Sequence, residues 1–181
     1  MRARGAHRIG IIGWFLMILQ TFACASDLAF EDGRYRDRRR HYSIAEPEGE
    51  GSEWRRVRAQ GTVLAFQGPG GASMSLIEEC GLPAAEPRIL ARQLLIGLEG
   101  RKLVEEGPVG EGGSPGWRQR VDAARSGEPV RLETVTRVIG ECSYDWILVV
   151  PGGLEELESV FDRWWRSFRS GAEEAGVEAE E

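Results

Sequence analysis

Cys142-Ser143-Tyr144-Asp145-Trp146-Ile147-Leu148-Val149-Val150 reads as a β-strand that is apolar on both faces. Side chains in a strand alternate from face to face. Cys142, Tyr144, Trp146, Leu148 and Val150 therefore share one side, while Ile147 and Val149 make the other apolar as well. Such a strand is covered on both sides, so it belongs inside a layered structure. Pro151-Gly152-Gly153 ends it, and the apolar period then changes. Leu154, Leu157, Phe161, Trp164 and Phe168 recur at spacings of three and four, which predicts a closing amphipathic helix.

Upstream of a Gly140-Glu141 turn, Pro129 to Ile139 places Val130, Leu132, Thr134, Thr136 and Val138 on one strand face, and Gly116 to Ala124 makes a further strand. Gly107 to Gly116 holds five Gly and two Pro and is expected as a flexible loop, with Leu103 to Glu105 a short strand before it. Pro87 opens a stretch in which Leu90, Leu94, Leu95 and Leu98 fall at helical spacing beside Ala91, and Gly100 closes it. Its leucine stripe is expected in the core. Nearer the N-terminus, Asp37–Ile44, Trp54–Ala59 and Gly61–Phe66 are expected strands. Gln67-Gly68-Pro69-Gly70-Gly71 should turn the last of these into a hairpin with Ala72–Glu78. Gly68-Pro69-Gly70-Gly71 lacks the Gly-Lys-Ser/Thr ending and following helix of a phosphate loop. The order of elements is an α+β plan, an antiparallel sheet covered by two main helices, in a single domain over residues 27–170.

Residues 1–25 read as a signal peptide. Arg2, Arg4, His7 and Arg8 precede an uncharged apolar run from Ile9 to Phe22, and small residues follow. The run is short of the roughly 20 residues that span a bilayer. Cleavage after Ala25, at Ala23-Cys24-Ala25, would release a protein beginning at Ser26; alternatively, Cys24 becomes the first mature residue and carries lipid. Loss of Arg2, Arg4 and Arg8 takes the basic count from 23 to 20 against 29 acidic residues, a formal charge of −9. That balance argues against nucleic acid as a partner. Setting Cys24 aside leaves Cys80 and Cys142, an even pair in a chain bound for an oxidising compartment, read as a disulfide with two buried thiols as the alternative. Glu173, Glu174, Glu178, Glu180 and Glu181 make residues 171–181 an expected disordered acidic tail.

The exported N-terminus, Cys142-Ser143-Tyr144-Asp145-Trp146, Ile89-Leu90-Ala91-Arg92-Gln93-Leu94-Leu95-Ile96-Gly97-Leu98 and the Phe161–Phe168 ending together resemble a group of proteobacterial lipoproteins of myxobacterial type, whose architecture is similar to the PsbP-like fold. The resemblance covers roughly residues 33 to 170. It implies a PsbP-like sandwich, lipid on Cys24, and a role as an assembly or accessory factor.

No catalytic constellation is present in the sequence. His41 is the sole His beyond the signal, without a Gly-x-Ser-x-Gly elbow elsewhere, and is expected at the surface. No clustered ligands point to a metal, and no cofactor is expected. Asp145, between Tyr144 and Trp146, is read as half of a buried pair with Arg137 or Arg120 or as an edge residue, with a ligand or partner contact as the alternative. Trp164 and Trp165 stand about 100° apart on a helix, which makes Trp165 a candidate surface contact. Arg34, Arg36, Arg38, Arg39 and Arg40 form a basic patch that a lipid anchor would hold near a membrane; the alternative is solvated residues paired with Glu and Asp. The expected function is that of an exported, non-enzymatic envelope module acting through contacts with a partner protein in the periplasm or at the outer membrane. The alternative is a binder of a small apolar or lipid ligand between sheet and helix. Removing all residues after Ser170 is expected to leave the Tm nearly unchanged, and removing all after Pro151 to prevent folding. A large fall in Tm from the first truncation would give the tail a packing role.

Overall fold

In a computed structural model the described residues are 28–49, 53–81, 85–110, 116–152 and 156–171, with the Glu156 side chain excluded. The expected signal peptide, Cys24 and the expected acidic tail after Gly171 lie outside them. The chain forms β1 (Leu28–Glu31), β2 (Arg34–Asp37), β3 (Tyr42–Ala45), β4 (Arg55–Arg56), β5 (Leu64–Gln67), β6 (Ser73–Cys80), α1 (Pro87–Gln93), β7 (Glu99–Val109), β8 (Gly116–Arg125), β9 (Glu128–Ile139), β10 (Cys142–Pro151), α2 (Glu156–Arg166) and β11 (Arg169–Ser170). All described strand pairs are antiparallel. They make a four-stranded sheet, β1-β2-β3-β11, and a seven-stranded sheet, β4-β5-β6-β10-β9-β8-β7.

This corrects the expected α+β plan of one sheet under two main helices. The protein is mostly β, built of two sheets, and its helices have only 7 and 11 residues. The second sheet arises where a single opening strand was expected. Asp37 ends β2 by accepting the backbone N–H groups of Arg39 (2.9 Å) and Arg40 (2.8 Å), which curls the chain into a turn. His41 completes the reversal at φ 54°, and β3 returns beside β2 with Tyr35 opposite Ile44. The C-terminal β11 then adds to β3.

The helix expected from Pro87 stops at Gln93. Gly97, at φ 87°, reverses the chain, and Leu94, Leu95 and Leu98 stay half-buried instead of reaching the core. Ala91 is the buried residue of α1. The residues expected as loop from Gly107 continue β7 as far as Val109.

Of the expected Trp54–Ala59 strand only β4, Arg55–Arg56, forms, and the expected Gly61–Phe66 strand begins as β5 only at Leu64; the later strands and the hairpin turn match. β8, β9 and β10 are consecutive paired strands, and Pro69–Gly71 forms a 3-10 turn between paired β5 and β6. A Cβ at Gly68 would come within 2.6 Å of the Trp54 ring, so only glycine fits beneath that indole.

β10 is the central strand of the large sheet. Tyr144, Trp146, Leu148 and Val150 face the small sheet and α2, where Phe66, Met74, Leu76, Phe161, Trp164 and Phe168 complete a shared core. Phe168 lies 5.0 Å from both the Tyr144 and Trp146 rings and 5.1 Å from Tyr42. Aromatic pairs of this kind add about 0.5–1.5 kcal/mol each beyond their buried area. At 100° per residue, the buried Leu157, Val160, Phe161, Trp164 and Trp165 span an arc of roughly 140° on α2. That width lets both tryptophans be buried, because the helix is covered on two sides.

Cys80 and Cys142 are directly opposite on β6 and β10 and are joined by a disulfide across 62 residues of chain. Closing a loop of that length is worth up to about 4 kcal/mol in the chain-entropy description. The double variant Cys80→Ala/Cys142→Ala should lose about 2–4 kcal/mol in denaturant unfolding. An unchanged midpoint and slope would mean that strand pairing alone holds this register.

Candidate functional site

The two faces of the large sheet differ in chemistry because strand register sorts the residues. Tyr144 lies opposite Arg137, Trp146 opposite Val135 and Leu148 opposite Glu133; Val135 and Glu133 lie opposite Arg118 and Arg120. The face carrying the aromatic core on β6 and β10 thus becomes a charged face on β8 and β9, and α2 crosses it. Glu133, 1% exposed, forms an ion pair with Arg118 and approaches Arg120 at 3.5 Å. From α2, Asp162 reaches Arg118 at 3.2 Å and Glu158 reaches Arg120 at 2.7 Å; Glu105 on β7 reaches Arg120 at 3.4 Å. Burial pushes the Glu133 carboxyl above its usual range, against the pull of both arginines.

A pocket of about 150 Å³ opens beside this cluster, lined by Glu105, Gly107, Pro108, Val109, Arg118 and Arg120. It is well below the roughly 300 Å³ at which small-molecule sites begin, and both of its guanidinium groups are engaged by carboxylates. The cluster's chemistry is that of a brace between α2 and the sheet.

On the opposite face, Ser143, Asp145, Thr134, Thr136 and Gln119 form a buried polar row. α1 rests on β8 and β9 there. Gln119 donates from Nε2 to the Ala91 carbonyl at 2.5 Å, the Arg88 guanidinium lies 5.0 Å over the Trp117 ring, and Glu106 pairs with Arg88 at 2.9 Å. This helix buries Ala91 and leaves Ile89 52% exposed. The turn after it leaves Ile96 78% exposed, and β7 leaves Leu103 and Val104 half exposed.

The residues singled out from sequence fall in separate places. Asp145 is buried, but register puts it opposite Thr136 and Ile77, on the face away from Arg137 and Arg120. Its expected arginine partner is replaced by Thr136, whose Oγ1 donates to the carboxylate at 2.5 Å. Burial raises the Asp145 pKa, opposed by the Thr136 hydrogen bond and reinforced by Glu79. Trp165, expected at the surface, is buried; its Nε1 donates to Asp162 at 3.0 Å, and Arg166 lies 4.4 Å over its ring.

His41 is exposed. In the basic patch, Arg38 pairs with Glu31 at 2.6 Å and Arg40 with Glu78 at 3.3 Å, so the patch is partly neutralised. Glu78, Cys80 and Cys142 lie close enough together to hold a metal, but the two sulfurs are tied in the disulfide, which removes the thiolates a metal would need. Among the described residues no helix is long and apolar enough to cross a membrane.

The exposed apolar group at α1 and β7 was not legible as such in the sequence. Leucines and isoleucines at helical spacing look alike whether the stripe is buried or not. The one local signal was Arg101-Lys102 beside Leu103-Val104, since charge on a strand is characteristic of a sheet edge.

No protein-family model matches the chain, and no curated protein does. Among solved structures it is similar to the solution structure of cyanobacterial PsbP (CyanoP) from Synechocystis sp. PCC 6803, with a TM-score of 0.58 at 14% identity over 76% of this chain and 91% of that one. It also matches the crystal structure of PA94 from Pseudomonas aeruginosa, a protein of unknown function, with a TM-score of 0.39 at 17% identity over 65% of this chain and 81% of that one. The first likeness shows that the fold is PsbP-like; at this identity it speaks for the fold alone.

The buried Asp145 makes a pH prediction. A carboxyl whose folded pKa lies above its unfolded value near 3.8 stabilises the fold fully below that value, and the contribution is lost as pH rises through the folded pKa. Asp145→Asn keeps a partner for Thr136 and removes the titration. The Tm of the variant minus that of the wild type should therefore grow from pH 4 to pH 8. A difference that shrinks over this range would show that the carboxylate is stabilised in the fold.

Proposed function

We propose that the protein is an exported, non-enzymatic cell-envelope module that acts by contact with a partner protein, through the surface made by α1, the turn after it and β7. The observation that carries this reading is a contrast within the molecule. The core between the two sheets carries large side chains, with Trp146, Phe66, Phe161, Trp164 and Phe168 almost wholly buried, which favours packing over a ligand site there. Ile89, Ile96, Leu103 and Val104 are instead spent on solvent, and large apolar side chains grouped at the surface favour a protein contact.

Export is supported by the charge and hydropathy layout of residues 1–26 and by the Cys80–Cys142 disulfide, a bond that persists in oxidising compartments. Lipid on Cys24, as the lipoprotein resemblance implies, is the form of anchoring we favour. Several acyl chains hold firmly where one binds only marginally.

A photo-crosslinking residue placed at Ile96 in the native envelope should give a discrete heavier adduct that the same residue at exposed His41 does not give, and Ile89→Glu should reduce it. Equal adducts from both positions, or none, would remove the contact surface. Separately, Cys24→Ser should move the protein from the membrane to the soluble envelope fraction. A wild type already soluble, with Ser26 at its N-terminus, would show plain cleavage instead of lipidation.

A further inference from the structure

β7 is an edge of the large sheet: β8 pairs along one side of it, and no described strand pairs along the other. At 11 residues it is among the longest strands in the molecule, and its first seven residues are all exposed. Its central sequence is divided along its length into a basic pair, Arg101-Lys102, an apolar pair, Leu103-Val104, and an acidic pair, Glu105-Glu106.

We propose that β7 pairs antiparallel with β7 of a second copy of this chain, about a two-fold axis near Leu103 and Val104. An antiparallel copy reverses the order of these pairs. The basic residues of each strand then lie beside the acidic residues of the other, and the apolar residues meet at the centre. Each such contact occurs twice, because a two-fold interface uses the same patch on both partners. A parallel copy would set like charges together, which is unfavourable across strands.

β7 carries features that guard an edge, and of these charge is the one that a second copy satisfies. Charge, β-bulges and proline all discourage edge pairing. β7 has register shifts between Glu99 and Lys102 and between Leu103 and Glu105, and Pro108 removes a donor near its end. A second β7 is the strand whose charges complement these. Glu105 has the greater freedom to contribute, with its side chain 67% exposed, whereas Glu106 is shared with Arg88 and Arg92. This inference rests on the contact surface proposed above and divides it: Leu103 and Val104 on β7 meet a second copy, while Ile89 and Ile96 are left to the partner protein, so a crosslink at Ile96 and dimerisation succeed or fail separately.

Sedimentation velocity of the purified, disulfide-intact protein over a wide concentration range tests it. The wild type should pass from monomer to dimer. Arg101→Glu/Lys102→Glu makes the strand acidic throughout and Glu105→Lys/Glu106→Lys makes it basic, and each should weaken the dimer at least about tenfold. Mixing the two variants should restore dimer as a mixed pair. Because Glu106 also anchors α1, the milder pair Lys102→Glu and Glu105→Lys serves the same test if circular dichroism shows a double variant misfolded. A wild type that stays monomeric throughout, a dimer unaffected by either charge reversal, or a mixture no more associated than its components would overturn the proposal.

Discussion

The register of β10 between β6 and β9 is the constraint on which the rest depends. In that register Trp146 stands between Leu76 and Val135, and Asp145 stands between Ile77 and Thr136. Because side chains alternate, a slip of one residue would turn Tyr144, Trp146 and Leu148 out of the aromatic core and drive the Asp145 carboxylate into it. Cys80 opposite Cys142 closes the end of the β6–β10 ladder covalently. The small sheet adds a second tie at the same end, since Arg40 in the β2–β3 turn reaches Glu78 on β6. Tyr144, beside that group, has its hydroxyl pushed up to about 12 by burial and by Glu78, so it stays protonated within the core.

From that register the two uses of α2 follow. Its apolar arc caps the aromatic core, and its acidic flank meets the arginines that β8 and β9 raise on the same face. Glu133 is the pivot: a fully buried carboxylate is costly unless paired, and Arg118 and Arg120 supply the pairing while being steadied by Asp162 and Glu158. The polar groups that would otherwise look like a binding site are therefore occupied with one another. Among the described residues, the short α1 and the long edge strand β7 lie at the periphery of this arrangement.

Much of this was legible in the sequence, for physical reasons. β8, β9 and β10 are long strands divided by short turns, so their period-two patterns are unambiguous, and the Gly-Pro-Gly-Gly turn marks its hairpin equally well. The closing helix carries Leu157, Phe161 and Trp164 at helical spacing, while Phe168, expected on it, lies just past its end at Arg166. The small sheet was hidden because its strands have four residues or fewer. Its key turn depends on one Asp37 side chain capturing two N–H groups, and β11 pairs with a strand more than a hundred residues away. β7 was hidden because Gly107 and Pro108 read as loop, although an edge strand tolerates both. The Leu90–Leu98 spacing is helical, yet helix and stripe part company where Gly97 turns the chain. For the candidate site, the apolar residues on both faces of β10 make the burial of Asp145 legible, but its partner depends on which face Arg137 and Arg120 occupy, a matter of register that no local pattern carries.

Buried side chains of the protein's own occupy the space between the sheets, and the contact function we propose therefore uses the outer surface. Native mass spectrometry of the protein isolated gently from the envelope tests this directly. The spectrum should give the mass of the polypeptide, with or without covalent lipid at Cys24, and no small molecule held non-covalently. A stoichiometric apolar ligand that survives isolation and is released on unfolding would contradict it.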